Sequence, residues 1–216
     1  MSIQDMIAQL GQGMLTSVLI YALTLIGAVP LALPLALARG GKSKIARLLT
    51  GAYISFMRGT PLMLQLIAVY FGPWYLFRIR ISDGYRFYAV IIAFVLNYAA
   101  YFAEIYRGGI ESISKGQYEA GQVLGMTKPQ IFFKVILLQV VKRIVPPMSN
   151  EVITLVKDTS LARVIAVAEI IMAADRFSAR GIIWPLFYTG AFFLIFNGLL
   201  TVIFNKIEKK LDYFRG

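Results

Sequence analysis

Hydrophobic and polar positions divide this chain into long charge-free runs joined by short basic stretches. Met6–Ala38 holds no charged residue, and neither do Gly59–Phe77, Phe87–Ala103 and Gly181–Asn205. About 20 mostly apolar residues cross the hydrocarbon core of a bilayer as a helix, so each run predicts a transmembrane helix. A fifth is predicted near Ile131–Val156, although Lys134, Gln139, Lys142, Arg143, Asn150 and Glu151 interrupt it. Polar side chains of that kind are tolerated at membrane depth when they face protein or an aqueous cavity. Arg107–Lys134 differs from all of these: it is a polar, partly helical excursion, far longer than a link between two helices requires.

Composition agrees with an all-α membrane protein. Of 216 residues 58% are hydrophobic and 15% charged, against about 25% charged in soluble domains. The first residues carry no Lys or Arg and the run after them is too long for a signal peptide, so no cleaved leader is expected. The chain has no Cys and no His, which removes disulfides, thiol redox chemistry, Ser-His-Asp and Cys-His catalysis and Cys/His zinc sites. No soluble domain, long linker or repeat is visible, and residues 1–216 are expected to form a single membrane domain.

The net charge of +11 reads as topology rather than as nucleic-acid binding. With Arg107–Lys134 in the cytoplasm, that side holds Arg39, Lys42, Lys44, Arg47, Arg107, Lys115, Lys128, Lys134, Lys206, Lys209, Lys210 and Arg215, twelve in all. The other side holds seven: Arg78, Arg80, Arg86, Lys157, Arg163, Arg176 and Arg180. The bias predicts five spans with the N-terminus outside and the C-terminus inside.

Polar residues within the spans form two stripes. Asn97, Tyr101 and Glu104 are spaced i, i+4, i+7 on the third span, and Glu151, Thr154 and Asp158 are spaced i, i+3, i+7 on the fourth. Helical geometry puts each trio on one face. Pro146-Pro147 precedes the second trio and is expected to break or kink its helix. A polar pocket or translocation path between these spans is one reading. The other is that Glu104 and Asp158 pair with Arg107, Lys157 or other basic groups near the membrane edges. Three motif-like strings are discounted. Gly41-Lys42-Ser43 lacks the upstream glycine of a phosphate loop, since Ala36 stands there. Ser112-Ile-Ser-Lys115 lacks the companion motifs of a serine nucleophile. Gly121-x-x-x-Gly125 has polar surroundings unlike a membrane packing motif.

Glu119-Ala120-Gly121-x-x-x-Gly125, followed by Val135-Ile136-Leu137-Leu138, resembles the EAA loop of bacterial ATP-binding-cassette (ABC) importer permeases. The family pattern is Glu-Ala-Ala, three residues, Gly, nine residues, then Ile-x-Leu-Pro. The chain departs from it at Gly121 for Ala, Val135 for Ile and Leu138 for Pro, and glycine in place of alanine predicts a looser helix by up to about 1 kcal/mol. Further strings resemble the polar amino-acid uptake permeases of the histidine and glutamine type. They are Arg58-Gly-Thr-Pro-Leu62, Ala100-Tyr-Phe-Ala-Glu-Ile-Tyr-Arg-Gly-Gly-Ile110, Lys115-Gly-Gln-Tyr-Glu-Ala120 and Lys157-Asp-Thr-Ser-Leu161.

The resemblance implies a type I ABC importer fold with a cytoplasmic coupling-helix loop at about 107–128, in the bacterial plasma (inner) membrane. Gln117, Glu119, Ala120, Gly121, Leu124 and Gly125 would couple to a separate cytoplasmic ATPase, with Val123 and Leu124 as apolar contacts. That ATPase, not this chain, would bind ATP and Mg, so no catalytic residue and no metal ligand are expected here. Further implied partners are membrane lipid, a second permease copy or similar paralogue, an extracytoplasmic solute-binding protein and the amino-acid substrate. Nucleic acid is not among them. Pocket candidates are Asn97, Tyr101, Glu104, Thr154, Asp158 and Thr159: carboxylates for an ammonium or cationic side chain, Thr159 and Ser160 or freed amides for an α-carboxylate. Two acids without a pocket-facing base lean towards arginine, lysine or histidine. Asp158 has a competing role as a cap for the helix from about Leu161. Two other classes stand beside this reading: an ion-coupled carrier or channel acting alone, and a membrane anchor subunit in which Glu104 and Asp158 are paired structural charges.

Overall fold

The computed structural model describes residues 2–82 and 84–211, so Arg215 of the topology count lies outside the described residues. Every regular element among these residues is helical: α1 (Ile3–Gly40), α2 (Lys44–Gly59), α3 (Leu62–Phe77), α4 (Tyr85–Glu111), α5 (Lys115–Val123), α6 (Lys128–Ile131), α7 (Leu137–Asp158), α8 (Ile170–Ser178) and α9 (Trp184–Leu211). A π-helical turn, Phe132–Ile136, joins α6 to α7, and a 3-10 helix, Thr159–Ile165, follows α7.

α1 has 38 residues, about 57 Å at 1.5 Å per residue, well over the thickness of a hydrocarbon core. Ser2 and Asp5 close a capping box at its start. Its buried positions Met6, Leu10, Gly13, Ser17, Ile20, Thr24, Ala28, Ala32 and Ala36 recur every three or four residues and form one stripe, with buried Tyr21 beside it. The lower half of that stripe is small, and α4 answers it with buried Ala89, Ala93, Ala99, Ala100 and Ala103. Lipid tails are as apolar as leucine, so no hydrophobic drive pulls membrane helices together; close approach through small residues and dispersion contact does. α4 sits at the centre, packed against α1, α2, α3 and α7. Of its apolar window 56% is buried, against 6% for α9, which therefore lies at the periphery.

The structure corrects three expectations. Gly59–Phe77 is not one straight span: α3 starts at Leu62, and α2, for which no charge-free run predicts a helix, meets it at a bend of 109°. The residue before a proline is driven out of the helical region, and Thr60, at φ −119° and ψ 146°, obeys that rule before Pro61. Pro146 and Pro147 do not break α7, which is helical across them from Leu137 to Asp158. The donors they lack are lost inside a helix held by α4 and α9, where Ser149 also bonds the Pro146 carbonyl at 2.7 Å. Finally, Arg107–Glu111 is not loop but the last part of α4. Among the described residues three helices are long and apolar enough to cross a bilayer alone, α1, α4 and α9, and the bent α2–α3 pair makes a possible fourth. α7, with Lys142, Arg143, Glu151 and Lys157, would cross only with its polar side turned to protein.

The connection before α9 is anchored on α1. Glu169 is fully buried, and its carboxylate accepts from the Ile171 and Met172 amides at 2.8 and 2.7 Å, capping α8. The Ile170 amide donates to Ser17 Oγ at 3.3 Å. Gly13 permits this approach: a Cβ there would stand 2.9 Å from Ile170 Cα and 3.0 Å from the Glu169 carbonyl oxygen, both backbone atoms. Gly13→Ala should lower the thermal unfolding temperature in detergent, at a cost of about 1–3 kcal/mol. Gly11→Ala, where a Cβ would meet nothing within 4 Å, should leave it unchanged or raise it.

Candidate functional site

The bend at Thr60–Pro61 sets the geometry of the polar interior. Pro61 has no N–H, so the helical partner of the Met57 carbonyl, four residues back, is missing. Side-chain amides replace it: Gln65 Nε2 and Asn97 Nδ2 both donate to Met57 O, at 2.9 and 3.1 Å. Asn97 also donates to Gln65 Oε1 at 3.0 Å, and Gln65 reaches Thr60 O and Oγ1 at 3.2 and 2.8 Å. Asn97 and Gln65 are buried, and Asn97 has both amide hydrogens committed to this staple. Sequence reasoning put Asn97 in a pocket and passed over Gln65. The signal was Pro61, which announces an orphaned carbonyl at Met57.

The staple places Arg58, the last basic residue of α2, over the half-buried ring of Tyr101, 5.3 Å from its centroid. Arg58 is within electrostatic reach of Glu104 and of Glu151 across on α7. Glu104 and Glu111 both pair with Arg107 along one side of α4. Asp158 accepts a 2.7 Å hydrogen bond from the buried Tyr98 hydroxyl and makes no side-chain cap to the 3-10 helix. Glu151 is half-buried and, like Arg58, has no ion pair among the described residues. Thr154 is exposed, while Thr159 is buried with its hydroxyl donating to Val156 O at 2.7 Å. Tyr101, Glu104, Asp158 and the unforeseen Arg58 thus come together with Glu151. Arg58 also supplies the base whose apparent absence from the sequence had favoured a cationic ligand.

The second site is the 112–127 connection. α5 packs on a small core of Ile113, Ile131, Ile136 and Val140 and is tied to α7 by Gln117 to Gln139, 3.4 Å, while Arg143 of α7 donates to the Ser112 carbonyl at the end of α4. It ends in a Schellman motif: Met126 N–H bonds Gly121 O at 3.0 Å and Gly125 N–H bonds Gln122 O at 2.9 Å. Gly125 takes the left-handed conformation this requires, φ +71°. Gly121 is buried, and a Cβ there would lie 2.7 Å from Ile131 Cγ1. Glycine at this position accommodates a bulky neighbour. Glu119 and Ala120 are exposed, and Val123 and Leu124 stand 88% and 78% exposed on a rigid helix end. Two large apolar side chains held out in this way suit a protein contact.

Known proteins share this plan. Residues 28–213 match the family described as binding-protein-dependent transport system inner membrane component. The L-cystine transport system permease protein TcyB of Bacillus subtilis strain 168 is 42% identical over 185 residues, covering 84% of this chain and 77% of its own. The arginine transport system permease protein ArtQ of the same organism is 38% identical, over 74% of this chain and 72% of its own. A putative glutamine permease of Rickettsia bellii is 35% identical, over 82% and 81%. A crystal structure of an amino acid ABC transporter with histidines superposes at a TM-score of 0.84 and 28% identity, covering 97% of this chain and 99% of that one. The inward-facing MetNI methionine transporter shares the fold at a TM-score of 0.69 and 17% identity, over 98% and 99%.

The staple and the free face separate by mutation. Asn97→Ala leaves Met57 O and Gln65 Oε1 short of a donor and should cost about 1–3 kcal/mol in thermal unfolding. Thr154→Val, at an exposed hydroxyl without a partner among the described residues, should leave unfolding unchanged.

Proposed function

The chain belongs to the family of binding-protein-dependent transport system inner membrane components, and on that premise we propose that it is the permease subunit of an ABC importer for polar amino acids, with cationic ones preferred. Its relatives are transport permeases whose ATP hydrolysis rests with separate subunits. The observation that carries the reading is α5, a short helix braced on its own core with Val123 and Leu124 turned outward. It is built to transmit force from a partner rather than merely to connect two helices. Gln117, Glu119, Ala120, Gly121, Leu124 and Gly125 form this coupling element: Gly121 and Gly125 shape it, Gln117 ties it to α7, and Glu119, Ala120 and Leu124 meet the ATPase. The ATPase binds ATP and Mg and sits in the cytoplasm. Five spans, N-terminus outside, follow if α2–α3 and α7 each cross. A single bundle of this size is small for a closed path, which supports pairing with a second permease and delivery of substrate by an extracytoplasmic binding protein.

In the pathway, Arg58 takes the α-carboxylate and Glu151 the α-ammonium of a zwitterion, next to Tyr101. Arg58 is matched by Glu151 and Glu104 by Arg107, which leaves Asp158 as the negative charge for a basic side chain. Asn97, Thr154 and Thr159 shape the wall. Relatives named for cystine, glutamine and arginine leave the side-chain choice to these charges.

The test is reconstitution with ATPase subunits and binding protein, reading ATP hydrolysis against arginine, lysine, histidine, glutamine and cystine. Stimulation by one or more of these is expected, strongest for a cation. Glu151→Gln should raise the half-saturating substrate concentration about tenfold, the worth of one charged hydrogen bond, with hydrolysis at saturation retained. Leu124→Asp puts an unpaired charge into the docked interface and should cut stimulated hydrolysis more than about tenfold. Full stimulation of Leu124→Asp, or accumulation of solute by the chain without an ATPase, would overturn the proposal.

A further inference from the structure

The end of α3 and the start of α4 carry an aromatic and basic cluster to which the proposed function assigns no role. A cavity of about 420 Å³ is lined there by Tyr70, Phe71, Trp74, Arg80 and Ile81. Its floor is fixed from two sides: the Tyr85 ring stacks on Tyr70 at 6.2 Å, and Arg86 Nε donates to the Tyr70 hydroxyl at 3.1 Å. The Arg78 guanidinium lies over the Trp74 ring, 6.0 Å from its centroid, at the left-handed residue that ends α3. Arg80 has no ion pair or hydrogen bond among the described residues and is exposed at the cavity rim. Residues 78–86 hold three arginines against one acid, Asp83, whose structure is outside the described residues. On the orientation inferred above, this is the side of the membrane where basic residues are normally sparse.

Beside the basic rim, Tyr75, Leu76 and Phe77 stand 71%, 75% and 71% exposed at the end of an apolar helix. Such a place, cationic and aromatic at the level of the headgroups and apolar just below, fits an amphiphile with an anionic head and acyl tails. A free phosphate would leave the apolar belt unused. Guanidinium groups bind phosphodiester oxygens through paired N–H donors, and interfacial Trp and Tyr anchor at this depth. We propose that the α3–α4 turn is a binding site for an anionic phospholipid, its phosphate held by Arg80 and Arg78 over the floor of Tyr70, Phe71 and Trp74, its chains lying along Leu76 and Phe77.

The chain has two tryptophans, Trp74 and Trp184, so Trp184→Phe leaves Trp74 as the sole reporter. The full chain, without its partner subunits, is reconstituted in phosphatidylethanolamine vesicles containing an equal fraction of either brominated-chain phosphatidylglycerol or brominated-chain phosphatidylethanolamine, and quenching of Trp74 is read. Phosphatidylglycerol should quench more strongly. Arg80→Gln should reduce its relative affinity about fivefold, and Arg80→Lys, which keeps the charge, should retain most of it. Equal quenching by the two lipids, or an unchanged preference in Arg80→Gln, would overturn the site. So would an Arg80→Gln effect confined to stimulation by the binding protein, which would mark a protein-docking surface. The quenching needs neither ATP nor substrate, so failure of the transport reading and failure of the lipid site are told apart.

Discussion

The constraint on which the rest depends is that a backbone group left unpaired at membrane depth has no water to turn to. Pro61 deletes one N–H and orphans the Met57 carbonyl. Gln65 from α3 and Asn97 from α4 supply the missing donors. The same two amides bind each other and Thr60, so the bend, the start of α3 and the middle of α4 form a single hydrogen-bonded unit. Arg58 follows from it: without the bend, α2 would continue in line and the guanidinium would leave the Tyr101 ring.

Packing sets the frame around that unit. α1 and α4 meet through alanines, and α1 meets α8 through Gly13, where backbone lies against backbone. These contacts lack the hydrophobic drive of a soluble core and depend on shape, so a single methyl matters at Gly13. α7 enters this frame with charges along its length, and it stays helical through two exposed prolines while its other side packs on α4 and α9. The Tyr98–Asp158 bond ties its far end to α4 at the point where the chain turns into the 3-10 helix. The polar stripes of α4 and α7 are therefore tied to each other at this end.

At the opposite end the 112–127 connection is held by different means. A Schellman turn closed by Gly125, a buried Gly121 under Ile131, and four buried aliphatic residues give it a core of its own. The glycine that looked like a weakness in the sequence is a packing solution: Ile131 occupies the volume that an alanine methyl would need.

By itself the sequence determined the class, the long apolar helices and the family, because length, charge-free runs and motif spacing are one-dimensional quantities. Pro61 was legible, in hindsight, as a break. Which face of α1 is buried was not legible, since a helix apolar all round shows no period. The staple was hidden too, because Gln65 and Asn97 are 32 residues apart and only folding brings them together. The same holds for Arg58 beside Tyr101 and for Tyr98 beside Asp158: polar partners in a membrane bundle are chosen by which helices touch, and only the tertiary structure decides that.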